Sequence, residues 1–115
     1  MEIVTKRAYE QGSASDGYRV LVDRLWPRGR KKEELNLDEW CKDIAPSTAL
    51  REWFAHDPKK FAEFKVRYLT ELQSSDIPKE LLERAGDKKL TLVYAAKDPM
   101  VSQAVVLQQY LQTLL

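Results

Sequence analysis

The chain has 115 residues, 43% hydrophobic and 32% charged, a length that suits one domain burying roughly two-thirds of its unfolded surface without covalent staples. Nineteen basic against eighteen acidic side chains leave a net charge of +1, so no global field draws it to nucleic acid or acidic lipid. No apolar run approaches the ~18 residues of a membrane span, and a lone Cys41 with a lone His56 exclude an internal disulfide and argue against a zinc site, so neither metal nor cofactor is expected.

The residues after Met1 carry no apolar core of signal-peptide type, which points to the cytoplasm. Instead they begin a strand. From Ile3 to Tyr9, Ile3, Thr5, Arg7 and Tyr9 share one face and Val4, Lys6 and Ala8 the other, so Arg7 and Tyr9 are expected to point the same way. Glu10 to Gly17 is turn chemistry, and its eight residues are short for a parallel crossover; the relation of the first strand to the second stays open. Tyr18, Val20 and Val22 then alternate with Arg19 and Leu21 as a second strand. Asp23 and Arg24 follow, and Trp26-Pro27 ends the strand, because proline lacks a donor and restricts its predecessor. Arg28, Gly29 and Arg30 come next, and Lys31 to Glu34 reads as a charged, solvated turn.

Leu35 to Pro46 carries two periodicities. Leu37, Trp40, Cys41 and Ile44 have helical spacing, with Asp38 near the start; Trp40 and Ile44 also alternate with Lys42 as a strand would. Cys41 reads as a small packed hydrophobe, since nothing nearby in sequence supplies the base that an activated thiol needs. Ser47 is placed to cap a helix with Leu50, Trp53 and Phe54 on its buried stripe. Asp57-Pro58 caps the next one, in which Phe61, Phe64, Tyr68 and Leu72 recur every three or four residues. Pro78 to Ala85 is a short helix that Gly86 can close in the left-handed conformation. Leu90 to Ala96 is nearly continuous apolar sequence, the mark of a central strand covered on both faces. Lys97-Asp98-Pro99 reads as a helix start, with Asp98 as cap and a helix from about Met100; Val101, Ala104, Val105, Leu107, Leu111 and Leu114 form its apolar face.

Ligands of open α/β sheets bind past the carboxyl ends of parallel strands. If the second strand and the Leu90 strand are parallel, Asp23, Arg24 and Arg28 share an edge with Lys97. Arginine offers a planar fork for carboxylate or phosphate, so a small anionic partner is expected there, with Trp26 as a wall. Two readings of Asp23 and Arg24 stand at this point: a ligand site, or a pair held by partners within the fold. His56 is a candidate general base by its neutral-range pKa, or a residue that caps or packs at the helix corner. Trp26 to Lys32, basic with an aromatic, is the one stretch suited to single-stranded nucleic acid or a protein partner.

The chain resembles, over nearly its full length, the YeaO-like branch of the bacterial domain of unknown function 488 family. The likeness rests on Lys6 to Tyr9, Asp16 to Gly29, Asp38-Glu39-Trp40, Ala45-Pro46-Ser47, Leu50-Arg51, His56-Asp57-Pro58, Phe64 with Tyr68, and Leu92 to Lys97. It implies limited functional content. A longer-chain branch is similar to rhodaneses, with Asp-Val-Arg at the strand end where Asp23-Arg24 stand here and Cys-His-Arg after its last strand; by that analogy Trp40 belongs to a strand. Here Ser102, Gln103 and Ala104 replace the Cys-His-Arg, so sulfur transfer by cysteine is not supported, and polar side chains at Ser102 and Gln103 fit binding better than covalent catalysis.

The expectation is therefore a single α/β domain with a mostly parallel sheet of about four strands and helices on both faces, distantly rhodanese-like. Its expected ligand-binding residues are Arg7, Tyr9, Asp23, Arg24, Trp26, Arg28, Gly29, Lys97, Ser102 and Gln103, with Asp23 and His56 as catalytic candidates. Asp23 would orient an arginine or accept a proton. Whether the chain is an enzyme, its substrate and its oligomeric state stay open.

Overall fold

In a computed structural model describing residues 1–115, four strands form one sheet: β1 (Ile3–Arg7), β2 (Tyr18–Leu21), β3 (Glu39–Trp40) and β4 (Leu90–Tyr94). All pairings are parallel and the order is β1-β4-β2-β3. The expected parallel α/β architecture is what the chain adopts. The open question about the first two strands resolves simply: they are not neighbours. β4 lies between them, with Ile3 opposite Leu90 on one side and Tyr18 opposite Leu90 on the other.

The helices are α1 (Lys32–Leu35), α2 (Thr48–Phe54), α3 (Phe61–Gln73), α4 (Ile77–Ala85) and α5 (Gln103–Thr113). Strand periodicity decides what each covers. Val20, Val22, Leu90, Leu92 and Tyr94 join the main core with residues of α2 to α5 such as Phe54, Phe64, Tyr68, Leu81 and Leu107. Leu21 and Val93, pointing the other way, pack on Leu35 of the one-turn α1, with Trp26, Leu37 and Trp40 at the margin. Every residue of β4 is buried because it has strands on both sides and apolar cover on both faces.

The caps match their residues. Ser47 accepts from Leu50 N–H at 3.2 Å, and its own N–H and hydroxyl donate to Glu71 of α3 at 2.9 and 2.6 Å. Asp57 accepts from Lys59 N–H at 3.0 Å, and Pro58 opens a 3-10 turn that leads into α3. In between, Ala55 and His56 both take positive φ, 47° and 57°, so a tight corner separates the two helices without a glycine.

Several sequence expectations are corrected. Trp40 does lie in a strand, but only Glu39–Trp40 pair with β2, and Lys42–Ile44 form a 3-10 turn. The helical spacing of Leu37, Trp40, Cys41 and Ile44 is not realised, because the edge of β2 offers backbone partners that an isolated helix would not. Lys31 to Glu34 is not merely a solvated turn: Lys32 to Glu34 belong to α1, whose last residue, Leu35, is buried. The first strand stops at Arg7 rather than Tyr9. Gly86 closes α4 at φ 62° and ψ −127°, the mirror-extended region open to glycine rather than the left-handed helical one. Asp98 does not cap the last helix. It holds a separate turn, accepting from Met100 N–H at 2.9 Å, and α5 begins at Gln103; Val106 takes the buried position expected of Val105. No helix is long and apolar enough to cross a membrane.

Candidate functional site

β2 and β4 are neighbours whose carboxyl-terminal connections leave for opposite faces of the sheet. The loop after β2 leads to α1 on one face, and the segment after β4 leads to α5 on the other. Such a divergence opens a crevice at the strand ends. A cleft of about 590 Å³ occupies it, lined by residues of the β2 loop, the Ala45-Pro46 turn, α2, α3 and the start of α5.

Asp23 sits at its base. Its Oδ2 accepts from Ala95 N–H at 2.9 Å, and its Oδ1 takes the Gln103 side-chain amide. Burial pushes the carboxyl up to about 6, and the Ala95 hydrogen bond only partly offsets it. No arginine reaches Asp23, so the expected role of orienting a guanidinium is not realised; the capacity to take a proton is. Arg24 donates instead to the carbonyls of Pro46 (3.2 Å) and Ala45 (3.4 Å).

The other expected residues divide in two. Tyr9, Trp26, Arg28, His56, Lys97 and Gln103 all border the cleft together with Asp23 and Arg24. Arg28 and Lys97 are exposed at its rim. Tyr9 donates to Arg28 O at 2.9 Å and so ties the turn after β1 to the loop. Trp26 packs against Trp40 in a T-shaped contact, centroids 5.3 Å apart, and donates to Arg30 O at 2.7 Å. His56 is exposed near Phe54, with ring centroids 6.1 Å apart. Arg7, Gly29 and Ser102 lie outside the lining. Arg7 donates to Ala96 O at 2.8 Å and to Ala95 O at 3.3 Å and stacks on Tyr9, so it seals the end of β4. Gly29 takes φ 78° in the loop. The Ser102 hydroxyl is buried without a partner.

Arg51, Phe54 and Phe64 also line the cleft, and local sequence reasoning missed them as site residues. The Arg51 Nε is covered and unpaired, a situation that typically costs about 1–3 kcal/mol when a donor is left unsatisfied. A signal was present: Arg51 directly follows Leu50 and precedes Phe54 by three residues, so it borders the buried stripe of α2. Cys41 lies in the core, and burial pushes its thiol up to about 11. No group of three His, Cys, Asp or Glu side chains is placed to hold a metal ion.

The chain matches the family DUF488-N3i, described as the inactive DUF488-N3 subclade, over residues 2–115. The protein belongs to that subclade. It is 48% identical over 115 residues to the uncharacterised protein YeaO of Escherichia coli K12, covering 99% of this chain and all of the relative. It is 46% identical over 105 residues to the uncharacterised protein Rv3073c of Mycobacterium tuberculosis H37Rv and, equally, to Mb3100c of Mycobacterium bovis, covering 91% of this chain and 89% of each relative. No solved structure matches. Ser102 is 1% exposed, and no side chain hydrogen-bonds its hydroxyl as an activating base would.

Proposed function

We propose that the protein is a cytoplasmic, non-catalytic binder of a small anionic molecule, a phosphate or carboxylate, held in the strand-end cleft. One observation carries this reading: Arg24, Arg28, Arg51 and Lys97 converge on a cleft whose innermost carboxylate, Asp23, is buried and keeps its proton up to about pH 6. Guanidiniums bind such groups through paired donors, and protonation of Asp23 below about pH 6 leaves Asp98 as the one carboxylate among four cationic side chains lining the cleft. The word "inactive" in the family description and the burial of Ser102 support binding over covalent chemistry.

A thermal-shift screen of phosphorylated and carboxylated metabolites tests the proposal. At least one anion should raise the melting temperature in a saturable way, and the effect should weaken above pH 6. A full panel without any saturable shift overturns it.

A further inference from the structure

The size and walls of the cleft say more than its charge. An inorganic phosphate has the bulk of only two or three waters, at roughly 30 Å³ each, whereas the cleft holds about 590 Å³. That volume lies in the usual range of sites for organic ligands. A phosphate alone would leave most of it as water against an apolar lining that includes Phe54, backed by the buried Phe64 ring at a centroid distance of 4.1 Å. The apolar surface continues outward: Leu25 and Tyr9 line the cleft and stay 60% and 41% exposed.

The cationic groups differ in what they have left to give. Arg24 spends Nε and one terminal nitrogen on the Ala45 and Pro46 carbonyls. Arg51 enters none of the chain's ion pairs, and its covered Nε has no partner. Five donors on a rigid fork are thus largely unspent beside an aromatic wall, one helical turn from Phe54. With Nε covered by the protein, the terminal nitrogens of Arg51, which lines the cleft, are the donors left for a ligand acceptor.

We propose that the cleft takes an organic anion with an aromatic or alkyl body, such as an aryl phosphate or aryl carboxylate, its head seated on Arg51 and its body laid against Phe54. This rests on the anion-binding reading above and narrows it. Arg24 forms the second side of the seat from its anchorage on the Ala45-Pro46 turn, and Arg28 at the rim closes over the head.

Phenyl phosphate, benzoate and inorganic phosphate are the probes, with affinities measured by calorimetry on the full chain at pH 5.5. Phenyl phosphate should bind at least ten-fold more tightly than inorganic phosphate, and benzoate should bind if the head need only be anionic. Arg51→Gln should lose at least ten-fold in phenyl phosphate affinity, and Phe54→Leu should shrink the aryl preference. Should either variant fail to fold, the wild-type Arg51 side-chain Nε–H resonance provides the answer, since it should shift on addition of phenyl phosphate. Equal affinity for phenyl and inorganic phosphate, or an unmoved Arg51 resonance on saturation, overturns the inference while leaving anion binding intact. Failure of all these probes and of the metabolite panel would remove the anion-binding reading itself.

Discussion

Arg19 on β2 donates through Nη1 to Asp16, three residues before it, at 2.6 Å, and both side chains are buried. Its other nitrogens reach the Leu35 carbonyl at 3.1 and 2.8 Å, and Lys6 closes on Asp16 from β1 at 3.1 Å. Burial pushes the Asp16 carboxyl up, but hydrogen bonds from Ser13 N–H, Lys6 and Arg19 outweigh it and hold the group below the usual carboxylate range. The minor face of the sheet is therefore tied by charge as well as by Leu21 and Val93. Removing Arg19 leaves Asp16 with Lys6 alone and strips the Leu35 carbonyl of two donors, and breaking such a buried pair typically costs about 3–5 kcal/mol. Arg19→Met should destabilise by that order in urea unfolding, and adding Asp16→Asn should restore part of the loss. A single variant within about 0.5 kcal/mol of wild type contradicts this account.

Asp23 titrates in the opposite sense. Its folded value of about 6 exceeds the ordinary 3.8, so between those pH values the folded chain keeps a proton that the unfolded chain has released. The stability due to this group is full below the lower value and falls as pH rises through the window, by about 3 kcal/mol in all. Asp23→Asn keeps an acceptor for Ala95 N–H and removes the titration. The variant should match wild type near pH 4 and exceed it by up to about 3 kcal/mol at pH 7.5, measured by denaturant unfolding at both pH values. A variant less stable at pH 7.5 shows that the ionised carboxylate is well accommodated.

Arg24 and Arg28 separate scaffold from ligand contact. Lysine keeps the charge and loses the fork. Arg24 has no buried ion pair to break, only two long carbonyl contacts, so Arg24→Lys should cost about 1–2 kcal/mol. Arg28 is exposed, and Arg28→Lys should stay within about 0.5 kcal/mol while losing most of the stabilisation by added anion. Equal destabilisation by the two variants would make the whole loop scaffold.

Gly17 and Gly29 share positive φ, 69° and 78°, but not surroundings. A Cβ on Gly17 would collide with the Lys89 carbonyl oxygen, which accepts from Tyr18 N–H at 2.7 Å, whereas one on Gly29 meets nothing within 4 Å. Gly17→Ala should cost at least about 2 kcal/mol, combining strain and a displaced strand entry. Gly29→Ala should cost about 1 kcal/mol, for backbone strain alone. Thermal unfolding of the two variants decides, and a Gly17→Ala no worse than Gly29→Ala would refute the close approach.

Local chemistry made part of this legible. The β4 run is apolar because both faces are covered, and Ser47 and Asp57-Pro58 announce helices through donors that only a helix start leaves free. Asp98 carries the same signal and misleads, because a capping aspartate cannot tell an isolated turn from a helix. Trp40 carries no decisive local signal, because its strand is two residues long and depends on the edge of β2, which no local pattern encodes. The carboxyl-end cluster of Asp23, Arg28 and Lys97 followed from strand direction. The facing wall did not: Arg51, Phe54 and Phe64 come to it only through how α2 and α3 seat on the sheet.

The place of β4 between β1 and β2 has a consequence for how the chain is made. Ile3 finds its partner at Leu90, and Tyr18 finds the same residue. Until the last third of the chain emerges, two strands of the sheet face an empty slot with unpaired backbone on the sides that will meet β4. Contacts so distant in sequence close late, after the loop entropy of the intervening chain has been overcome. A nascent chain lacking β4 thus exposes strand edges to other chains, and loss of the carboxyl-terminal segment would unseat the oldest part of the molecule first.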